Sequence, residues 1–157
     1  MTKRYILFDL DGTITDSSEG ITRSVQYALN KLGITEKDQS VLRKYIGPPL
    51  DESFQRFHGL DKETALVAVG YYRERYTDTG LYENRLFGGV DKMLKELKED
   101  GYIVALATCK PEIYVPRILK YFDVAEYFDV AVGSELEGGL RRRKNQVIDE
   151  VFTRLLD

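Results

Sequence analysis

Cysteine and histidine are almost missing from this chain: each occurs once, as Cys109 and His58, among 157 residues. A single cysteine excludes an intrachain disulfide framework and fits a reducing compartment. His58 falls next to Gly59 and reads as a surface residue at a helix end. A charge excess is missing too. With 23 basic residues against 26 acidic ones the net charge is -3, which removes the broad positive field of a nucleic-acid binder. No apolar run is long enough for a signal peptide or a membrane span, and Met1-Thr2-Lys3-Arg4 leads straight into a short strand. Internal repeats and low-complexity tracts are also lacking. What remains is 43% hydrophobic residues, enough for a core in one ordinary domain or in one domain carrying a smaller insertion. The expectation is a cytoplasmic globular protein that binds neither nucleic acid nor membrane.

The most informative stretch is Tyr5-Ile6-Leu7-Phe8-Asp9-Leu10-Asp11-Gly12-Thr13. Its first four residues are apolar on both faces, as in the middle of a parallel sheet, and ligands bind at the C-terminal edge of such sheets. Asp9 and Asp11 stand at that edge two residues apart, so an extended chain points both carboxylates to one side, next to the permissive Gly12. Like charges held together repel unless a cation joins them. Magnesium, which takes carboxylate, carbonyl and water oxygens, is the expected partner, with Asp9 and Asp11 as its ligands.

After Thr13 the apolar spacing turns helical. Ile21, Val25, Ala28, Leu29 and Leu32 recur at helical intervals and Gly33 stops them; Thr35 and Asp38 resemble a capping pair for a helix from Glu36 to Tyr45. Gly47-Pro48-Pro49 interrupts, Leu50, Phe54 and Phe57 resume, and Asp61 caps a further helix towards Tyr76. From Val90 the chain alternates helix and strand. Tyr102 to Ala107 reads as a buried strand delivering Thr108, Cys109 and Lys110 at its end, and Phe128 to Gly133 as a third strand. Between them Ile113 to Phe122 reads as a helix, provided Pro116 lies in its first turn. A last helix runs from Asn145 to Leu156. The fold class is α/β: a Rossmann-like parallel-sheet core from residues 1–15 and 82–157, incomplete at the C-terminus, with an inserted all-helical cap from residues 16–81.

Asp9-Leu10-Asp11-Gly12-Thr13 after an apolar strand resembles the first motif of the haloacid dehalogenase superfamily, and the surrounding pattern resembles its phosphoglycolate phosphatase and nucleotidase-like branch. The resemblance covers nearly the whole chain. It implies an Asp9 nucleophile that becomes an aspartyl-phosphate, and an Asp11 that protonates the leaving alcohol and then activates water. It implies further that Gly12, Thr13, Thr108 and Cys109 hold the phosphoryl group. A lysine that neutralises it corresponds to Lys144, although ungapped counting from Gly133-Ser134-Glu135-Leu136-Glu137-Gly138 reaches Arg143. The branch is also resembled by Tyr45-Ile46-Gly47-Pro48-Pro49-Leu50 and by Glu83 to Val90. Gly47 to Leu50 would then screen substrates, and Asp16 and Ser17 would hinge the cap.

The family's fourth motif, a Gly-Asp pair after another core strand, has no counterpart here: nothing after Lys144 reads as a strand. The expected activity is magnesium-dependent hydrolysis of a small phosphorylated metabolite. The alternative is a truncated, impaired member that binds phosphate, or an interaction module whose exposed sheet edge pairs with another chain, self-association included.

Overall fold

The computed structural model describes residues 2–136 and 139–157. Its strands in chain order are β1 (Tyr5–Phe8), β2 (Thr15–Asp16), β3 (Arg85–Leu86), β4 (Ile103–Pro111) and β5 (Val130–Ser134). Its helices are α1 (Ser18–Lys31), α2 (Gln39–Arg43), α3 (Leu50–His58), α4 (Lys62–Tyr76), α5 (Val90–Glu99), α6 (Val115–Tyr121) and α7 (Lys144–Leu156). The chain divides into two compact units, Met1–Asp16 with Leu86–Asp157, and Ser17–Arg85. The sequence predicts the crossings at 15/16 and 81/82; they lie at 16/17 and 85/86. The second moves because the 3-10 turn Gly80–Tyr82 packs against α1, and the Gly20 amide donates to the Glu83 carbonyl, keeping 82–85 with the helices.

The α/β unit is built on a parallel sheet of order β1-β4-β5. Tyr5 pairs with Ile103 and Phe8 with Leu106, while Ala105 pairs with Val130 and Ala107 with Val132. Period-two alternation puts Ala105 and Ala107 on one face of β4, where they bury with Val132 and with Val147 and Val151 of α7. Val104 and Leu106, both fully buried, take the other face. Such a strand reads as continuously apolar because parallel sheets are covered on both sides. Pro116 lies in the first turn of α6, where its missing N–H costs nothing. The strand predicted from Phe128 begins at Val130 instead, since Ala125–Tyr127 forms a 3-10 turn.

The second unit is helical. α1 packs against α2 and α4, and α4 also against α3, around Val25, Leu29, Phe54, Ala65 and Tyr72. Asp61 caps α4 by accepting from the Thr64 amide, as the sequence predicts. α2 is shorter than expected because Asp38 is its cap, accepting from the Ser40 amide at 2.9 Å. His58 is not the surface residue expected. Its side chain is 7% exposed, its Nε2 lies 3.0 Å from Glu36 Oε2, and its Nδ1 meets the hydroxyl of Tyr45, which is itself buried. Burial, with Glu36 nearby, pushes the Tyr45 phenol well above its ordinary value, so it stays protonated in that network. No helix among the described residues is long and apolar enough to cross a membrane.

Candidate active site

The turn after β1 is anchored by two apolar side chains. Leu10 and Ile14 are buried, and the Leu10 carbonyl accepts from the amides of Thr13, Ile14 and Thr15 at 3.0–3.2 Å. Gly12 takes φ +79°, a left-handed conformation that a side chain would strain, and its amide donates to the Thr15 carbonyl at 2.8 Å. This tight loop presents Asp9 and Asp11 at the C-terminal edge of the sheet with Thr13 exposed beside them.

The two carboxylates occupy different surroundings. The Asp9 side chain is 43% exposed, that of Asp11 only 7%. Asp9 Oδ1 accepts from the Leu10 amide at 2.8 Å and lies 2.9 Å from Lys144 Nζ. That same ammonium donates to the Ala107 carbonyl at 2.9 Å, which ties the start of α7 to the end of β4. Lys144 therefore stands on the Asp9 carboxylate, while Arg143 precedes α7 and donates its amide to Gln146 Oε1. Asp11 has a lysine of its own, Lys110, whose Nζ lies 3.2 and 3.1 Å from Oδ1 and Oδ2. Sequence reasoning leaves the repulsion between the carboxylates to a metal; the fold gives each one a separate ammonium.

Sequence reasoning also missed Lys110 as a site residue. The cause is a break in register: from Ala107↔Val132 to Pro111↔Ser134, β4 advances by more residues than β5. Inside this bulge the Lys110 amide donates to Thr108 Oγ1 at 3.1 Å, and Ser134 Oγ donates to the Cys109 carbonyl at 2.9 Å. Gly133 permits the close approach, since a Cβ there would meet the Lys110 carbonyl oxygen at 2.4 Å. A bulge leaves no pattern in the alternation of a fully apolar strand; the one available signal was a lysine immediately after six apolar residues and Thr108-Cys109.

Thr108 is buried and Cys109 half-buried at this edge. Burial pushes the Cys109 thiol above its ordinary value, with Lys144 opposing, so the thiolate is disfavoured. Of the stretch Gly133 to Gly138, Glu137 and Gly138 lie outside the described residues.

Two carboxylates, two ammonium groups and a threonine at one sheet edge suit chemistry on an anion such as phosphate. Several known proteins are similar to this chain. A 5'-nucleotidase of Pseudomonas aeruginosa is 48% identical over 143 residues, which are 91% of this chain and 64% of the nucleotidase. The tyrosine-protein kinase PtkA of Mycobacterium tuberculosis is 36% identical over 97% of this chain and 51% of its own length. The chain thus spans between half and two thirds of these relatives. Among solved structures, a predicted phosphatase from Clostridium acetobutylicum superposes with TM-score 0.93 at 45% identity, covering 99% of this chain and 71% of that one. Residues 6–154 match the model of the haloacid dehalogenase-like hydrolases, and by that match and this shared fold the chain belongs to that family.

Proposed function

We propose that this chain carries the catalytic groups of a magnesium-dependent phosphatase that hydrolyses a small phosphate monoester through an aspartyl-phosphate on Asp9. The observation that supports it most is the placement of Lys144 Nζ, 2.9 Å from the Asp9 carboxylate and fixed by the Ala107 carbonyl. A cation held there lowers the cost of bringing a phosphoryl dianion to a carboxylate. Asp9 Oδ2 attacks phosphorus, the P–O bond to the alcohol breaks, and the Asp11 carboxyl gives its proton to the departing oxygen. Water then attacks the phosphorus of the acyl phosphate, Asp11 takes its proton, and inorganic phosphate leaves with the Asp9 carboxylate restored. The Thr108 hydroxyl, already an acceptor for the Lys110 amide, retains a proton to donate to a phosphoryl oxygen.

The donor set fits magnesium in kind. Asp9 offers a half-exposed carboxylate and Asp11 a backbone carbonyl, both hard oxygens, and waters would complete the shell. Among the described residues no group of three or more acidic, thiol or imidazole side chains is gathered. The ion, when bound, supplies charge neutralisation at the phosphoryl oxygens. A nucleoside monophosphate is one monoester to assay, given the name of the Pseudomonas relative. The single half-buried cysteine supports a cytoplasmic setting.

A second reading is a family member that binds phosphate, or pairs with another copy along a sheet edge, without turnover. It draws on β1 lying outermost in the sheet order. Hydrolysis of an aryl phosphate by the purified chain, with magnesium, with chelator, and in Asp9→Asn, separates the two. Magnesium-dependent turnover lost in Asp9→Asn supports the phosphatase, and a rate no higher than that variant's refutes it.

A further inference from the structure

The Lys110–Asp11 pair is far more deeply buried than the neighbouring Lys144–Asp9 pair, with side chains 6% and 7% exposed against 41% and 43%. Burying two opposite charges rarely adds stability, because desolvation consumes most of the Coulombic gain and an apolar pair of like volume does as well. Packing therefore gives no reason for a lysine there. Geometry does. Both oxygens of Asp11 lie within reach of one ammonium, at 3.2 and 3.1 Å, which ties the carboxyl to the lysine side of the loop, and once one oxygen carries a proton the other still accepts from the ammonium.

The lysine is itself held. Its amide donates to Thr108 Oγ1, the neighbouring Cys109 carbonyl accepts from Ser134 Oγ, and the register break between Ala107 and Pro111 turns this segment out of the regular ladder. Glu112, just beyond, accepts from the Gly133 amide at 3.1 Å and pairs with Arg154 of α7 at 3.1 Å. Strand, bulge and terminal helix thus locate one ammonium, and that ammonium locates Asp11. Lys144 does the separate task of facing Asp9.

We infer that Lys110 is a positioning residue for proton transfer: it holds the Asp11 carboxyl in the orientation from which it protonates the leaving oxygen, and it acts on the reaction only through Asp11. This rests on the phosphatase reading above. It specifies that the contribution of Lys110 depends on how much the leaving group needs a proton. An alkyl alkoxide needs one in the transition state, whereas a nitrophenolate leaves without it. A residue that merely supports the fold would slow both substrates alike.

The test compares kcat for p-nitrophenyl phosphate and for an alkyl monoester, glycerol 2-phosphate, in the whole chain and in Lys110→Met, which keeps side-chain length and removes the charge. General acid catalysis is typically worth 10²–10⁴, so the alkyl-to-aryl ratio is expected to fall by about 10². In an Asp11→Asn background the same substitution should leave the ratio where it is, because the two residues act as one unit. If Lys110→Met does not give the far-ultraviolet spectrum of the parent, Lys110→Gln, which keeps a donor for the Asp11 oxygens, decides the question by a roughly tenfold fall in the same ratio. Equal slowing of both substrates, or a further fall in the Asp11→Asn background, overturns the inference while leaving the phosphatase intact. No turnover of either substrate by the parent chain removes the phosphatase reading and this inference together.

Discussion

Replacing Lys144 with methionine should separate stability from activity. At 2.9 Å the Lys144–Asp9 attraction would be worth about 6 kcal/mol at an effective dielectric of about 20. Both side chains are 41–43% exposed, however, and water screens such pairs to roughly 0.2–1 kcal/mol. Lys144 is also the first residue of α7, where a positive charge opposes the helix dipole by about 0.3–1 kcal/mol. The two terms have opposite signs and similar size, so Lys144→Met should change unfolding free energy by less than about 1 kcal/mol. In the proposed mechanism the ammonium would face a phosphoryl group as well as Asp9, and losing one such stabilising group costs about 10²–10³ in kcat. Thermal unfolding followed by circular dichroism, alongside aryl phosphate hydrolysis, measures both quantities. An unchanged kcat refutes the reasoning, as does a loss of activity matched by destabilisation of about 3 kcal/mol or more.

Gly133→Ala should destabilise the α/β unit by about 1–3 kcal/mol, since the new methyl would lie 2.4 Å from the Lys110 carbonyl oxygen and 2.7 Å from Glu112 backbone atoms that cannot move aside. Chemical denaturation checks it, and an unaltered midpoint would show that the bulge is loosely held. In the helical unit, Arg75 at 2.6 Å and Arg23 at 3.0 Å hold the Glu83 carboxyl below its ordinary range, with partial burial opposing. A depressed carboxylate stabilises the fold above its unfolded value, about 4.3, and loses that contribution as the pH falls through the lower folded value. The stability gap between the parent and Glu83→Gln should therefore be constant near neutrality and close in acid, below about pH 4. A gap that widens in acid contradicts the sign.

The parts of this molecule that were legible in the sequence are those carried by contiguous residues. Tyr5 to Phe8 had to be a covered strand, Asp9 and Asp11 had to emerge at its end, and the cap at Asp61 and the first-turn Pro116 lay where their chemistry requires them. What could not be read were pairings across distance. Lys110 reaches Asp11 only because β4 bulges after Ala107, and a bulge inside an apolar run has no signature. Ungapped counting left Arg143 and Lys144 open because α7 begins between them, and only the helix start decides which side chain faces Asp9. His58 was misjudged for a related reason. Its neighbour Gly59 correctly marked a helix end, but Glu36 and Tyr45, from elsewhere in the helical unit, cover it.

The central claim is that Asp9 carries the phosphoryl group during turnover. Incubating the purified chain with magnesium and an aryl phosphate, quenching in acid and mapping the intact protein and its peptides by mass spectrometry tests this directly. The account predicts a hydroxylamine-sensitive gain of one phosphoryl group on the peptide containing Asp9, absent from Asp9→Asn. A phosphoryl group on any other residue, or turnover that survives in Asp9→Asn, would contradict it.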